Sequence, residues 1–359
     1  MEPFLKEFSA RVGAWLETAT TESDVVVSTR IRLARNVEGY PFVGRMRETQ
    51  AAELADRLRE GILGAGFGKD FRYISLRESS RVCRDLLLER HLISRELAGG
   101  KLDRGVAFSE PETVGLMVNE EDHLRIQVLL PGFALDEAWS RISAIDRALE
   151  SRIDFAHRDD FGYLTACPTN IGTGMRVSVM VHLPALGLVE REMKKVFNAA
   201  AKTNLAMRGL HGEGTRATGD FYQISNQVTL GRSEESLLSD LGRILPHVLT
   251  FERRVREELT KESRAMLEDR IWRSYGLLRN ARSISTDEAI TSLSAVRLGA
   301  YLGLLTDVQP STLNRLLVLV QPGHLQAKVG RELGPPERDV ERAALLRDSF
   351  GAGAPPERA

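Results

Sequence analysis

The sequence predicts an α+β fold: a largely antiparallel sheet flanked by helices, followed by a small all-helical C-terminal domain. Three observations carry that expectation. The apolar runs Val114 to Val118 and Ile126 to Leu130 read as short buried strands on either side of an acidic junction. Val177, Val179, Val181 and Leu183 alternate as in a half-buried strand, with Arg176 on the opposite face. From Glu234 onward the chain reads as mostly helical. Strands that arrive as hairpins and meanders pair antiparallel and are covered by helices.

In chain order, residues 1–22 read as a short amphipathic helix and a polar linker, Thr18 to Ser23. Asp24 opens a strand, Val25-Val26-Val27, that delivers Ser28, Arg30 and Arg32. Side chains alternate along a strand, so Arg30 and Arg32 share one face. Two guanidinium groups at that spacing suit an oligophosphate; a basic edge strand facing solvent is the plainer reading of the same residues. Leu54, Leu58 and Ile62 recur at helical spacing and predict a helix from Thr49 to Leu63, closed by the glycines between Gly61 and Gly68. A second helix, Val82 to Leu92, contains His91, which near a helix C-terminus is usually a partner of the helix dipole. Gly99-Gly100-Lys101 marks a loop, and Leu135, Ile142, Ile145 and Leu149 trace another helix with Asp136 near its start. A helix over Glu190 to Lys202, a Gly-rich turn around Glu213 and a strand through Phe221 to Ile224 follow. Arg253 to Arg282 predicts one mixed-charge helix, and residues 286–349 further helices broken by Pro310, Pro322 and Pro335-Pro336. The expected division is therefore 1–22, 23–255, 256–350 and a disordered tail, 351–359.

Composition excludes several classes. With 49 basic and 50 acidic side chains, the balance favours neither nucleic acid nor a membrane surface. Two cysteines, Cys83 and Cys167, are too few for a disulfide framework and have no metal-site spacing, which fits a reducing cytoplasm. No apolar run approaches the roughly 20 residues of a membrane span, and the N-terminus lacks a signal-peptide pattern. Residues 157–162, His-Arg-Asp-Asp-Phe-Gly, abut two protein-kinase motifs but lack the loop, strands and upstream lysine those motifs require. Gly209 to Thr215 lacks the Lys-Ser/Thr ending of a P-loop.

The acidic junction is the most informative stretch: Val118-Asn119-Glu120-Glu121-Asp122-His123-Leu124-Arg125. Three adjacent carboxylates repel one another; held between core strands, they suggest a site that meets positive charge. An ordinary acidic hairpin turn is the bland alternative. Three more stretches stand with it: Ser28 to Arg32, Cys167 to Arg176, and Arg208 to Thr215. Together the four motifs resemble the ATP:guanido phosphotransferases, the family of creatine and arginine kinases, and the resemblance runs from about Ser23 to Leu230.

That resemblance implies the phosphagen-kinase catalytic fold, with ATP and Mg²⁺ as cofactors. It assigns Glu121 as catalytic base, Glu213 as second carboxylate anchor and Cys167 as a thiolate beside the bound guanidinium; a structural cysteine is the alternative for Cys167. It makes Arg30, Arg32, Arg125, Arg176 and Arg208 phosphate ligands, places His91 beside adenine, and adds Ser28, Met180, Gly209 and Glu213 to the ATP-binding set. Glu120 falls near Mg²⁺ through water. His211 departs from the arginine found there in small-molecule arginine kinases. The chemistry is consistent with these roles. A guanidinium stays protonated, so attack on phosphorus needs carboxylates that aim the planar group and take its proton.

Creatine and arginine kinases carry an all-helical domain before the Ser-Thr-Arg motif. Here only 27 residues precede Ser28, whereas a helical region follows the catalytic motifs. This arrangement resembles the bacterial protein-arginine kinases, as does Arg338-Asp339-Val340-Glu341-Arg342-Ala343, their Arg-Asp-x-x-Arg-Ala motif. The resemblance implies a phosphoarginine allosteric site at Arg338, Asp339 and Arg342, at the start of a helix over Glu337 to Phe350 with Arg338, Arg342 and Leu345 on one face. It also implies protein substrates with exposed arginines, a role in stress response and Clp proteolysis, and a small activator protein, a heat-shock repressor and a Clp ATPase as partners. A homodimer is expected. The rival readings are a phosphagen kinase acting on free arginine and a non-catalytic phosphoarginine-binding adaptor.

Overall fold

The structure, a computed structural model, describes residues 3–16, 22–67, 71–209 and 217–351. Among the described residues ten strands form: β1 (Val26–Arg35), β2 (Phe71–Ser75), β3 (Gly105–Ser109), β4 (Val114–Val118), β5 (Leu124–Pro131), β6 (His157–Arg158), β7 (Gly162–Tyr163), β8 (Met175–His182), β9 (Leu205–Gly209) and β10 (Phe221–Asn226). Eight of them make one sheet in the order β2-β3-β4-β5-β1-β8-β10-β9, antiparallel at every pairing. β6 and β7 form a separate ribbon over the His-Arg-Asp-Asp-Phe-Gly segment, so that stretch is a surface hairpin.

The alternation of apolar and polar residues decides what each face meets. Ile31 and Leu33 of β1, Ile126 and Val128 of β5, and Val177, Val179 and Val181 of β8 are buried in one core. Leu54, Leu58 and Ile62 of α2 (Glu48–Gly64) and Ala138, Ile142 and Leu149 of α5 (Leu135–Glu150) belong to the same core. Between these lie α3 (Arg81–Glu89) and α4 (Arg95–Gly99), with α1 (Pro3–Ala10) at the start of the chain. α6 (Pro184–Leu188), α7 (Glu190–Lys202) and α8 (Glu234–Glu262) complete this half. The opposite face of the central strands presents Ser28, Arg30 and Arg32 of β1, Arg125 and Gln127 of β5, and Arg176, Ser178 and Met180 of β8. In register, Arg32 lies between Gln127 and Arg176, and Ser28 between Pro131 and Met180.

The C-terminal helices cover one end of that polar face. They are α9 (Arg264–Asn280), α10 (Thr286–Tyr301), α11 (Pro310–Leu319), α12 (Pro322–Val329) and α13 (Pro335–Ser349). Their apolar residues share a second core with Trp15, Val27, Leu129 and Phe221, and Met180 packs against it.

Three local expectations change in the structure. Arg253 to Arg282 is two helices, because Ser263, at φ −136° and ψ 32°, leaves helical geometry between α8 and α9. Pro310, Pro322 and Pro335 start helices instead of breaking them: the first turn needs no proline N–H, and the ring presets φ. α3 ends at Glu89, so His91 lies beyond the helix in a left-handed turn at φ 59°. α4, capped by the Ser94 side chain accepting from Leu97 N–H, runs through Gly99, so the expected loop begins only at Gly100. The part of the expected linker at residues 17–21 and the tail 352–359 lie outside the described residues.

Candidate active site

The acidic turn between β4 and β5 sends its three carboxylates in three directions. Asn119, at φ 55°, fixes the turn by donating to the carbonyls of Ala51 (2.9 Å) and Asp103 (2.8 Å). Glu120 is buried and accepts from Arg125 Nη1 at 2.7 Å. Asp122 is fully buried; its Oδ1 accepts from Asn36 Nδ2 at 2.6 Å and from Ala166 N–H at 2.7 Å. Glu121 is the exposed one of the three and borders the cleft, its side chain 44% exposed and 3.6 Å from Arg125 Nη2. Mutual repulsion is thus relieved by giving the two flanking acids fixed partners. Burial, and then the neighbouring Asp122, push the Glu121 carboxyl above its ordinary pKa, against the pull of Arg125. A base of that kind holds a proton more readily than a free glutamate does.

Asp122 also ties this turn to the next motif, since Ala166 precedes Cys167. Cys167 is half-buried, with Sγ 3.0 Å from Thr169 Oγ1, and it lines the same cleft as Glu121. The loop then returns to β8 through Gly174 at φ 63°, where a Cβ would stand 2.6 Å from the Ala34 carbonyl, so glycine is required.

The cleft has a volume of about 610 Å³. Arg32, Arg125 and Arg176 line it together with Glu121 and Cys167. Arg30 lies one step along β1 and donates to Gln223 Oε1 at 3.0 Å; in register, Gln223 is flanked by Met180 and Arg208. Burial first, and then the like charges of Arg176 and Arg125, bring the Arg30 guanidinium down to about 10. Arg32 is lowered further, by burial first and then by Arg30, Arg125 and Arg176, and its buried Nε has no hydrogen-bond partner. Such a cradle is stabilised by a polyanion and by little else.

The expected nucleotide residues therefore divide into two groups. Arg32, Arg125 and Arg176 line the cleft with Glu120, Glu121 and Cys167. His91 and Met180 line a second cavity of about 380 Å³, and Ser28 pairs in register with Met180. Gly209 ends β9 and Arg208 precedes it; Glu213 and His211 lie outside the described residues. Sequence reasoning missed Glu96, which the short α4 brings into the first cleft. The signal available for it was Ser94 as a helix cap. It also missed Gln127, whose Nε2 donates to the His91 carbonyl at 2.6 Å, and Asn36.

At the C-terminal motif the three residues do not act alike. Arg342 is buried, and its guanidinium donates to the carbonyls of Val320 (2.7 Å) and Ile284 (2.8 Å) and to Asp339 Oδ1 (2.6 Å). It latches α13 to its neighbours. Arg338 instead lines a cavity of about 210 Å³ with Arg81 and Asp85 of α3.

Among the described residues no group of three or more His, Cys, Asp or Glu could hold a metal ion. A divalent cation fits this site only as a companion of phosphate groups, with one or two carboxylates near it through water, which is the usual manner of Mg²⁺.

A carboxylate of raised basicity facing an arginine cradle suits phosphoryl transfer to a guanidinium, and comparison with known proteins agrees. Residues 56–255 match the ATP:guanido phosphotransferase, C-terminal catalytic domain. The chain belongs to this family. Residues 264–359 match the protein-arginine kinase McsB C-terminal domain. The protein-arginine kinase of Moorella thermoacetica is 46% identical over 341 residues, covering 94% of this chain and 97% of that protein. The protein-arginine kinase of Geobacillus stearothermophilus is 42% identical over 347 residues, covering 96% and 95% respectively. Among solved structures, the duplicated taurocyamine kinase from Schistosoma mansoni with bound transition state analog components matches at a TM-score of 0.59 and 27% identity. That match covers 68% of this chain, which spans 35% of the duplicated protein. Lombricine kinase, at 24% identity and a TM-score of 0.56, shares the fold; the match covers 68% of this chain and 70% of that one.

Proposed function

We propose that this chain is a protein-arginine kinase, transferring the γ-phosphoryl group of ATP to the guanidino group of arginine side chains in proteins. The single observation that carries the reading is Glu121: the exposed carboxylate of the acidic turn, raised in pKa and lining one cleft with the arginines. In the proposed reaction one guanidinium nitrogen attacks the γ-phosphorus. The N–P bond forms, the bond from γ-phosphorus to the bridging oxygen breaks, ADP leaves, and the nitrogen's proton passes to Glu121. Arg30, Arg32, Arg125, Arg176 and Arg208 hold the phosphates and take up the charge that develops on the transferring group. Glu213 is the second anchor for the guanidinium, and Cys167 borders it. Mg²⁺ bound with the nucleotide would neutralise phosphate charge, with Glu120 near it through water; because Glu120 is committed to Arg125, its part is indirect.

The identity of relatives aligned over nearly their whole length supports a protein acceptor. The proposal takes residues 23–255 as the catalytic unit and 256–350 as a helical unit whose Arg338 cavity receives phosphoarginine, with Asp339 presented by Arg342. By resemblance it extends to a cytoplasmic homodimer that works with a small activator, a heat-shock repressor and a Clp ATPase. Among the described residues no helix is long and apolar enough to cross a membrane. The acceptor is tested by comparing kcat/KM for free arginine and for an arginine-rich polypeptide. The polypeptide is expected to be strongly preferred; equal values would favour a phosphagen kinase.

A further inference from the structure

The catalytic cleft carries one more carboxylate than the transfer reaction uses. Glu96, Glu120 and Glu121 all line it. Glu120 is committed to Arg125, and in the reaction proposed above Glu121 and Glu213 serve the reacting guanidinium. Glu96 is left over. It is exposed, and among the described residues its carboxylate has no hydrogen-bond or ion-pair partner.

Its position is nevertheless fixed. Glu96 stands in the first turn of α4, and the next residue, Leu97, is buried in an apolar cluster with Leu86, Leu92 and Val106. Arg104, itself buried, donates through Nη1 to the carbonyls of Glu96 (2.9 Å) and Leu97 (3.1 Å). Gly100 leaves that guanidinium its room, since a Cβ there would stand 1.6 Å from Arg104 Cζ. Asn119, which sets the acidic turn, donates to the carbonyl of Asp103, the residue just before Arg104. One continuous brace therefore holds α4 against the turn that carries Glu121. The two carboxylates are kept on one cleft although they repel: behind burial, Asp122 and Glu120, Glu96 adds to the upward push on the Glu121 carboxyl.

Carboxylates held together against their repulsion favour a ligand that brings more than one positive charge. An acceptor arginine with neutral neighbours brings one. An acceptor with a basic neighbour brings two, and the long, flexible stem of a lysine or arginine lets the second charge settle on an exposed acid. On the reading that Glu121 is the base of a kinase acting on protein arginine, we propose that Glu96 is a specificity-determining residue: it pairs with a basic side chain beside the acceptor, so that arginines with a lysine or arginine neighbour are preferred substrates. Glu96 lies outside all four catalytic motifs, and its part is to read the sequence around the acceptor.

The test uses three peptides, each with a single arginine flanked on both sides by lysine, by alanine or by glutamate. Lysine supplies the charge without a second acceptor. With the full-length chain, ATP and Mg²⁺, kcat/KM is measured for wild type, Glu96→Gln and Glu96→Lys, and phosphate is located by mass spectrometry. Wild type should favour the lysine-flanked over the alanine-flanked peptide about two- to fivefold, the size of an exposed ion pair, chiefly through KM. Added salt should shrink that ratio. Glu96→Gln should bring the ratio to about one, and Glu96→Lys should turn the preference toward the glutamate-flanked peptide. A wild type that treats the lysine- and alanine-flanked peptides alike overturns the proposal. So does a Glu96→Gln variant that keeps the wild-type ratio, including one that loses activity equally on all three peptides. Wild type that phosphorylates arginine in none of the peptides would overturn the kinase reading itself, and the role of Glu96 with it.

Discussion

Replacing Glu121 and Glu120 in turn by glutamine should give opposite signatures, although the two residues are adjacent and chemically alike. The Glu121 side chain is 44% exposed and its approach to Arg125 is 3.6 Å, a contact of the exposed kind that contributes about 0–1 kcal/mol. Its raised pKa means that the folded state favours the protonated acid. The stability this gives is present below the ordinary glutamate pKa and is lost as pH rises through the folded value, so near neutrality the ionised group is a slight burden. Glu121→Gln should therefore lose about 10²–10⁴-fold in turnover, the usual range for a general base, while thermal stability at pH 7 holds or rises slightly. Glu120 is nearly fully buried and bonded to Arg125 at 2.7 Å. Breaking such a pair costs about 3–5 kcal/mol, and Glu120→Gln belongs at the low end because the amide oxygen can still accept from Arg125. Thermal unfolding, ATP calorimetry and a transfer assay on the same preparations read all three quantities. A Glu121→Gln variant that unfolds earlier in parallel with its loss of activity, or that keeps near wild-type turnover, would show that Glu121 is not the base.

Other expectations follow from the same geometry. Asp122→Ala takes the acceptor from the Ala166 N–H and from one Asn36 amide hydrogen, the other staying on the Leu164 carbonyl; each buried donor left without an acceptor costs about 1–3 kcal/mol, so the unfolding midpoint and activity should fall together; activity lost at wild-type stability would contradict a bracing role. The Arg338→Ala/Asp339→Ala pair should abolish phosphoarginine binding measured by titration calorimetry, whereas unchanged binding would remove the C-terminal cavity as that site. Because Asp339 is the carboxylate held by the buried Arg342, the single Asp339→Ala should also lower the unfolding midpoint of the helical unit, which Arg338→Ala should spare.

Much of this architecture was legible in the chain because period and face coincide. The two-residue spacing of Arg30 and Arg32, and of Arg176 against Val177 and Val179, places the cradle on one side of the sheet and the core on the other. The helix over Glu190 to Lys202 emerges with the expected ends because its apolar stripe starts and stops there. What escaped the sequence was long-range or conformational. Nothing local links Asn36 to Asp122 or Trp15 to His91, which lie far apart in the chain and meet only when the sheet closes. His91 looked like the last turn of a helix, yet it adopts φ 59° and its carbonyl takes a bond from Gln127, so tertiary pairing overrides helical propensity. The prolines at 310, 322 and 335 were correctly seen as punctuation, but a proline ends one segment and begins the next with equal ease. Periodicity could not say that the C-terminal helices would lie over Met180.

The expected product is a phosphoramidate on protein arginine. Its most direct test is to incubate the chain with ATP, Mg²⁺ and an arginine-rich protein, then locate the phosphate by mass spectrometry under conditions that preserve acid-labile bonds. Label on arginine, lost in acid and stable in mild base, is the predicted result. Acid-stable label, or label mapping to serine, threonine or tyrosine, would mean that arginine is not the acceptor.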